Sequence, residues 1–226
     1  AFSGGLLDEG ALHLHPLNYC LGLAEAARAA GARMHEQSRV SGYEEGARIR
    51  VHTAQGSVLA DHLVLACNGY LGKLELRIAG RIMPINNFMI ATEPLDEATA
   101  RAINPRDPAM QDSRSVINYW KLSAARRLLF GGGENYSARF PADIRSFVRP
   151  HMLGIYPALA GARIDYGWGG TLAITLRRMP AFGKLGRNIH YALGYSGHGI
   201  PTATLAGKLL AAAIAGGSAG FDAMAR

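Results

Sequence analysis

The chain has 226 residues, 49% of them hydrophobic, and a formal net charge of +7 at pH 7. A chain of this size can bury a core in one large domain or two small ones, and no apolar run approaches the length of a membrane span. The basic residues are scattered and not clustered with aromatic ones, which disfavours a nucleic-acid groove and fits an anionic cofactor or substrate. Cys20 and Cys67 form no metal or CxxC pattern, so we expect no metal site and a reducing, cytoplasmic compartment.

The first 80 residues are predicted to form one helix followed by short strands. Pro16 suits the first turn of a helix that runs to about Ala30. The apolar spacing places one face of this helix against a core, and that face comprises Leu17, Cys20, Leu21 and Ala24. Residues 33–40 alternate as a strand, and residues 49–53 with 58–60 are typical of a β-hairpin.

A continuous apolar run from Leu63 to Cys67 is typical of a strand buried on both faces. Asn68 and Gly69 follow this run, and both residue types tolerate left-handed backbone geometry. We therefore expect the chain to leave the strand in a tight turn at this point.

The middle of the chain differs in character from its ends. Residues 81–92, 116–122 and 127–131 are strand-like, and Pro141-Ala142-Asp143 is typical of a helix start. A further strand over residues 162–171 leads into a glycine turn. The region of about 81–162 is therefore predicted to be a β-sheet with a helix, inserted between two halves of an α/β unit.

The stretch from Gly194 to Ile200 carries the clearest chemical pattern. An apolar strand over residues 188–193 precedes it, and an Ala/Leu-rich run with helical spacing extends from Pro201 to Gly216. Its glycines let a ligand approach the backbone, and a helix N-terminus presents free N–H groups to an electron-rich oxygen. A strand-to-helix turn whose glycines serve packing alone explains the same pattern equally well.

Short motifs in a recognisable order run through nearly the whole chain. They are Gly5-Leu6 to His15-Pro16, Val64 to Gly69, Ile90 to Leu95, Arg127 to Gly132, Tyr166 to Gly170 and Tyr195 to Gly199. On these motifs the chain resembles the FAD-dependent oxidoreductases of the D-amino-acid oxidase type, a group that includes glycine and sarcosine oxidases. Each motif alone is weak, and together they indicate the superfamily without fixing the substrate.

The resemblance implies an α/β (α+β) fold. It consists of a partial FAD/NAD(P)-binding, glutathione-reductase-like domain over residues 1–80 and 163–226, with an inserted substrate-binding domain over residues 81–162 that combines a mainly antiparallel β-sheet with a helix. The family begins with a strand and a G-x-G-x-x-G turn that holds the pyrophosphate, and this sequence has no such opening. We therefore expect the chain to correspond to the back two-thirds of such an enzyme, to bind little FAD and to be inactive alone.

The resemblance also assigns residues to the cofactor, FAD. Val40 would offer its backbone to the adenine, and the segment beside the ADP portion would be Ala66, Cys67, Asn68 and Gly69. The flavin would be bordered by Gly170, Gly194, Tyr195, Ser196, Gly197, His198, Gly199 and Ile200. The helix N-terminus after this stretch would stabilise the negative charge that a reduced flavin ring carries.

The reaction implied by the resemblance is the oxidation of a C–N bond in an amine or amino acid. A neutral amine gives a hydride equivalent from its α-carbon to flavin N5, and the resulting imine is hydrolysed. Tyr119 and Trp168 would wall the substrate pocket, although core packing explains both residues as well. Arg178 would pair with a substrate carboxylate or remain a surface arginine.

Three further questions stay open at this point. Some family members carry a lysine near the place of Pro201 that is thought to help oxygen react, so both an oxidase and a dehydrogenase fit. A non-catalytic flavin-fold fragment that acts as a binding or assembly subunit belongs to a different class of function. Assembly into a homo-oligomer is also compatible with the sequence.

Overall fold

The computed structural model describes residues 2–137 and 139–225, and its contacts divide the chain into two compact units. Unit 1 comprises the residues up to Leu14 and Ile85–Thr171, and unit 2 comprises His15–Pro84 and the residues from Leu172 onward. These boundaries differ from the predicted ones, because the residues up to Leu14 and residues 163–171 group with unit 1. The assignment of FAD to one unit and of substrate to the other stays a prediction.

The regular elements fall close to the predicted ones but have different ends. The helices are α1 (Pro16–Ala29), α2 (Leu76–Ala79), α3 (Glu97–Ile103), α4 (Ile144–Ile155), α5 (Gly199–Ile214) and α6 (Ala219–Met224). The strands are β1 (Val40–Glu44), β2 (Ile49–Thr53), β3 (Gly56–Ala60), β4 (Leu63–Leu65), β5 (Ile82–Thr92), β6 (Met110–Gln111), β7 (Tyr119–Leu122), β8 (Leu128–Asn135), β9 (Ile164–Thr175), β10 (Ala181–Leu185) and β11 (Ile189–Leu193). Short 3-10 turns lie at Asn68–Tyr70 and Pro157–Leu159.

Unit 2 contains two three-stranded sheets. In the first, β1, β2 and β3 are antiparallel in that order, and the β2–β3 hairpin pairs Thr53 with Gly56. The second sheet has the order β10-β11-β4, with β11 antiparallel to β10 and parallel to β4. Because β4 and β11 are parallel, the two predicted cofactor segments that follow them leave the sheet on the same side, at the carboxyl ends of the strands. This is where α/β proteins bind ligands.

Every residue of β11 is buried, and two different clusters cover its two faces. Ile189, Tyr191 and Leu193 pack with residues of β4 and α2, whereas Ala192 packs with residues of α5 and α6. α5 contacts β11, and α6 contacts β10. A strand covered on both faces is rich in apolar residues, and here only the buried His190 departs from that pattern. The composition of the strand therefore explains why the sequence alone predicts it.

The expectation that the strand from Leu63 to Cys67 is buried on both faces is wrong for β4. The strand covers only Leu63–Leu65, and Val64 is 36% exposed. β4 lies at the edge of its sheet, and α5 and α6 contact β11 and β10 in preference to it. One face of β4 is therefore partly open among the residues that the structure describes.

Two predictions for the first part of unit 2 are wrong in part. α1 has the predicted bounds, but Leu17 and Leu21 on its supposed inner face are 61% and 57% exposed. A hydrogen bond of 2.8 Å joins Tyr19 Oη of α1 to Thr204 Oγ1 of α5, while the apolar stripe has no second layer of described residues over it. Residues 33–39 form no strand, because no strand in the described part of the chain pairs with them.

Unit 1 is built on a five-stranded sheet with the order β6-β7-β8-β5-β9. The β6–β7, β7–β8 and β8–β5 pairs are antiparallel, in agreement with the mainly antiparallel sheet predicted above. α4 contacts β8 on one face, and the core on that side contains Phe88, Ile90, Trp120, Leu128, Phe130, Val148 and Met152. The side chains that alternate with these strand residues belong to the opposite face of the sheet.

α4 begins where the sequence predicts, and its N-cap is Asp143. Its Oδ1 accepts hydrogen bonds from the backbone N–H groups of Arg145 and Ser146 at 3.0 and 3.2 Å, which satisfies two free donors of the first turn. Pro150 lies inside α4 without ending it. The burial of Val148 and Met152 offsets the hydrogen bond that a proline removes from a helix.

A buried carboxylate joins β1 to α2 in unit 2. Glu75 is the N-cap of α2, where its Oε1 accepts from the backbone N–H and the Nε–H of Arg77, both at 2.8 Å. Its Oε2 accepts from the Arg77 guanidinium at 2.7 Å and from the Tyr43 hydroxyl. These hydrogen bonds favour the ionised carboxylate, so they lower the pKa of Glu75 to about 2 against the opposing effect of burial.

We expect this carboxylate to make the stability of the protein sensitive to acid. Because the pKa of Glu75 is lower in the folded chain than its ordinary value of 4.5, its contribution is complete above that ordinary value and is lost as pH falls towards about 2. Urea unfolding at pH values from about 6 to about 2.5 measures the effect. Glu75→Gln should lower stability near neutral pH and flatten the acid limb, and an unchanged acid limb in this variant would contradict the assignment.

Candidate functional site

The glycine-rich stretch between β11 and α5 is a tight left-handed turn. β11 ends at Leu193 and α5 begins at Gly199, which confirms the predicted order of strand, turn and helix. Gly194, Ser196 and Gly197 have φ values of 72°, 50° and 98°, a region that favours glycine. The glycines at 194 and 197 are thus required by the backbone path itself.

Two other segments of unit 2 hold this turn in place. The backbone N–H of Gly194 donates to Asn68 Oδ1 at 3.0 Å, and Asn68 also has a left-handed φ of 46°. The N–H of Ser196 donates to the carbonyl of Ala173 at 3.1 Å, and Ser196 Oγ accepts from the N–H of Thr175 at 3.2 Å. The predicted cofactor segments at Ala66–Gly69 and Gly194–Ile200 are therefore brought together by a direct hydrogen bond.

The start of α5 presents an open backbone surface. The N-cap residue His198 makes no side-chain hydrogen bond to the first turn, so the donors that a helix leaves free at its N-terminus are not used by a cap. A Cβ atom added at Gly197 or at Gly199 would meet no heavy atom within 4 Å. An electron-rich group could approach these N–H groups and the positive end of the helix dipole.

The remaining predicted cofactor residues lie in other places. Val40 is the first residue of β1 and pairs with Thr53 in the three-stranded antiparallel sheet, which is a different sheet from the β10-β11-β4 sheet that carries the turn. Gly170 lies on β9 within unit 1, whereas the turn belongs to unit 2. Within unit 2, burial raises the pKa of the Cys67 thiol, which keeps this residue a neutral neighbour of Asn68.

Tyr119 lies on the sheet face of unit 1 that is opposite α4. Its neighbour Trp120 and the paired residue Phe130 belong to the core beneath α4, so the alternation of strand side chains places Tyr119 on the other side. The ring covers Gly131, where an added Cβ would lie 2.2 Å from the Tyr119 Cζ. The absence of a side chain at Gly131 lets Tyr119 cross β8 and reach β5.

The Tyr119 hydroxyl donates to Asn87 Oδ1 on β5 at 2.5 Å. Burial of the ring raises the pKa of Tyr119 to about 12, and the nearby Glu134 carboxylate adds to the shift. The phenol is therefore protonated throughout the physiological range and cannot serve as a base at neutral pH.

Trp168 shares this sheet face. Cβ atoms added at Gly167 and Gly169 would meet Arg145 Cγ of α4 at 2.9 Å and Phe88 Cδ1 of the core at 2.6 Å, so both residues face α4. Trp168 alternates with them and is 42% exposed. The structure thus places Tyr119 and Trp168 on the same side of one sheet, with β8 and β5 between their strands in the sheet order.

Arg178, the third predicted catalytic residue, lies in unit 2. It is an exposed residue in the turn between β9 and β10, with a left-handed φ of 59°. Its backbone N–H donates to the Thr175 carbonyl at 3.1 Å, which closes the turn. Tyr119 and Trp168 belong to the other unit, so the pairing of Arg178 with a substrate carboxylate stays a prediction.

Asn87 is a functional candidate that the sequence analysis did not single out. It lies in the middle of β5 beside the apolar Ile85 and Phe88, where a polar residue needs a hydrogen-bonding partner. An asparagine pair at 86–87 inside an otherwise apolar strand was the available indication. Asn86 is engaged differently, since its Oδ1 accepts from the Thr171 hydroxyl at 2.9 Å.

The described residues contain no group of three or more His, Cys, Asp or Glu side chains that could hold a metal ion. In the part of the chain that the structure covers, none of the helices has the length and apolar character needed to cross a membrane. Cys20 and Cys67 are both free thiols.

The sequence matches the DAO family, described as FAD dependent oxidoreductase, over residues 1–213. The chain belongs to this family. The cofactor of this family is FAD, which confirms the cofactor that the resemblance implied. The mixed helix and sheet architecture confirms the predicted fold class, as the similarity to a solved structure given below shows.

Three relatives illustrate the match. The chain is 43% identical to gamma-glutamylputrescine oxidoreductase of Escherichia coli over 99% of this chain and 53% of that protein. It is 39% identical to the probable oxidoreductase OrdL of Haemophilus influenzae over 95% of this chain and 50% of that protein. The crystal structure of L-proline dehydrogenase from P. horikoshii is similar with a TM-score of 0.71 and 25% identity, covering 88% of this chain and 55% of that one. The chain thus spans about half the length of the curated relatives that it matches.

The geometry of the turn fits the binding of a DAO-family flavin. An uncapped helix start, an open backbone at Gly197 and Gly199 and a left-handed turn fixed by Asn68 together offer hydrogen-bond donors without side chains in front of them. The residues that would hold FAD in this part of the chain are Ala66–Gly69 and Gly194–Ile200. Their assignment as binding residues remains a prediction.

We expect Gly194→Ala to destabilise the fold. Gly194 has a left-handed φ of 72°, and an added Cβ would lie only 2.5 Å from Thr175 Cγ2. The strained backbone alone costs roughly 1–3 kcal/mol, and the clash adds to it, so thermal unfolding should show a clear loss. Gly199→Ala is the matched control, since Gly199 has no left-handed φ and an added Cβ meets open space. Equal melting of Gly194→Ala and the wild-type protein would contradict this account of the turn.

Proposed function

We propose that this chain forms part of an FAD-dependent oxidoreductase that oxidises a C–N bond of an amine or amino acid. The observation that carries the proposal is the 43% identity to gamma-glutamylputrescine oxidoreductase over 99% of this chain. A substrate similar to gamma-glutamylputrescine, an amine joined to an amino acid through an amide, is the specific candidate. When bound, FAD supplies the acceptor for the hydride equivalent that leaves the carbon next to nitrogen.

In this proposal the residues of unit 2 bind and tune the cofactor. Asn68 holds Gly194 through the 3.0 Å hydrogen bond, and this fixes the backbone from which α5 starts. The free N–H groups at the start of α5 stabilise negative charge that develops near them, and they need no reorganisation because the helix already orients them. The turn therefore serves as a preorganised anion-stabilising element.

The residues of unit 1 bind and orient the substrate. Tyr119 and Trp168 supply an aromatic surface on one face of the sheet, which suits the alkyl chain of an amine. Tyr119 stays protonated near neutral pH and therefore orients the substrate without removing a proton. Oxidation of a neutral amine requires no strong base, which is consistent with the lack of a titrating carboxylate in the assigned set. Separately, Arg178 of unit 2 is proposed to pair with a substrate carboxylate.

The electron acceptor and cellular setting are further parts of the proposal. The place of a lysine that is thought to assist oxygen in some family members is taken by Pro201, the third residue of α5. We propose a cytoplasmic enzyme that acts on a small amine and uses an acceptor other than oxygen as readily as oxygen itself. Oxygen uptake compared with reduction of an artificial electron acceptor under the same conditions tests this point.

The decisive experiment uses the full-length, flavin-loaded enzyme of which this chain is proposed to form part. Its anaerobic reduction by gamma-glutamylputrescine is followed by stopped-flow absorbance. Putrescine, glycine and sarcosine are the comparison substrates. Reduction by gamma-glutamylputrescine well above that by the others supports the proposal. If no amine or amino acid reduces the flavin, the protein has a binding or assembly role and the catalytic proposal is wrong.

We expect Gly199→Ala to slow flavin reduction in the full-length enzyme without weakening the fold. The added methyl group meets open space in the protein, but it would lie in front of the helix N–H groups that are proposed to face the flavin. Loss of one such preorganised donor typically costs about 2.7–4 kcal/mol, or roughly 100- to 1,000-fold in rate. Stopped-flow reduction and thermal melting of each variant give the two readouts.

Gly161→Ala is the control for this experiment. Gly161 also has open space around its Cβ direction but lies in the connection before β9. Its rate and melting temperature should both match those of the wild-type protein. A wild-type rate in Gly199→Ala would show that the turn serves packing alone.

A further inference from the structure

The orientation of the Asn87 side chain determines what the Tyr119 hydroxyl can do. Asn87 Nδ2 donates to the carbonyl oxygen of Gly133 at 3.4 Å. A carbonyl can only accept, so the amide nitrogen of Asn87 must face Gly133 and the amide oxygen must face Tyr119. The amide oxygen in turn accepts the Tyr119 proton at 2.5 Å.

The single hydroxyl proton of Tyr119 is therefore committed to Asn87. A phenol carries one donor and additional acceptor capacity, so any further partner of Tyr119 Oη must be a donor. Position 133 requires glycine, because its φ of 76° is left-handed and an added Cβ would lie 2.6 Å from Phe147 Cε1. The direction of the Tyr119–Asn87 hydrogen bond therefore follows from the contact between Asn87 of β5 and Gly133 of β8.

The charge near this hydroxyl also favours a ligand that donates a hydrogen bond over an anion. Glu134 on β8 is close enough to act electrostatically on Tyr119, and its negative charge disfavours a second anion beside the ring. A cation at the same place would be attracted both by this carboxylate and by the face of the aromatic ring. The hydrogen-bonding and electrostatic preferences thus coincide.

We propose that Tyr119 and Asn87 together select the amino group of the substrate: Tyr119 Oη accepts a hydrogen bond from an amine N–H, and Asn87 prevents the hydroxyl from donating to a carboxylate. The inference rests on the proposed function, because it takes this face of the sheet as the substrate-binding face. Tyr119 is the residue that contacts the substrate, and Asn87 is a positioning residue that acts through it. The substrate class at this hydroxyl is an alkyl amine that presents an N–H donor, and a carboxylate must bind elsewhere.

A pair of ligands that share a tert-butyl group and carry opposite charges tests the proposal. tert-Butylamine has no hydrogen on the carbon that bears nitrogen, so it cannot be oxidised, and pivalate is its carboxylate counterpart. Both are titrated calorimetrically into the full-length, flavin-loaded enzyme near neutral pH. The wild-type protein should bind tert-butylamine more tightly than pivalate.

Tyr119→Phe keeps the ring and removes only the hydroxyl. It should weaken tert-butylamine binding on the order of tenfold, as expected for loss of a hydrogen bond to a charged group, and leave pivalate binding unchanged. Tyr136→Phe is the matched control, since its hydroxyl lies 3.5 Å from the same Glu134 and that ring is exposed. The control should leave both affinities unchanged.

Variants at Asn87 separate positioning from a general structural role. Asn87→Leu frees the Tyr119 proton and should strengthen pivalate relative to tert-butylamine, an inversion that simple destabilisation does not produce. Asn87→Asp retains an acceptor for the proton and should keep the preference for the amine. Melting curves of all variants identify any that fail to fold, and the conservative Tyr119→Phe measurement stands independently of them.

The inference is overturned if Tyr119→Phe weakens pivalate binding or leaves tert-butylamine binding unchanged. The titration requires no turnover, so its outcome is distinct from that of the catalytic proposal. Tyr119-dependent binding of tert-butylamine by a protein that oxidises no amine would contradict the proposed function and support this inference. Amine oxidation that is unchanged in Tyr119→Phe would support the proposed function and contradict this inference.

Discussion

The hydrogen bond from the Gly194 N–H to Asn68 Oδ1 is the contact on which the candidate cofactor surface depends. It joins the segments that follow two parallel strands, β4 and β11. The two predicted cofactor segments are therefore neighbours at the carboxyl ends of these strands. Ser196 adds a second attachment through Thr175 at the end of β9. These two attachments join the left-handed turn, and with it the start of α5, to neighbouring segments of unit 2.

The sequence predicts the elements whose environment is uniform. β11 is mostly apolar because both of its faces are covered, with the buried His190 as its polar exception, and α4 is recognisable because Asp143 caps a stripe of buried residues. The strand–turn–helix order around Gly194 follows from the glycines that its left-handed geometry requires. In these places local propensity and tertiary burial favour the same structure.

The sequence misleads where burial depends on neighbours outside the element. Leu17 and Leu21 have helical apolar spacing, yet they are exposed because spacing indicates a possible inner face and not the presence of a layer to cover it. Val64 continues an apolar run, yet the edge location of β4 leaves it partly open. Asn87 could not be assigned a role from sequence, because its partners Tyr119 and Gly133 lie 32 and 46 residues away along the chain.

Gly131 has a consequence for the thermodynamics of ligand binding. Because it carries no side chain, the Tyr119 ring lies flat across β8 and is held at its far end by Asn87. A side chain restrained in this way before a ligand arrives has little rotamer entropy left to lose, and ordering of interface side chains otherwise costs about 0.5–1.5 kcal/mol each. A glycine in the middle of a strand, which weakens the strand on its own, thereby lowers the entropic cost of recognition at the neighbouring hydroxyl.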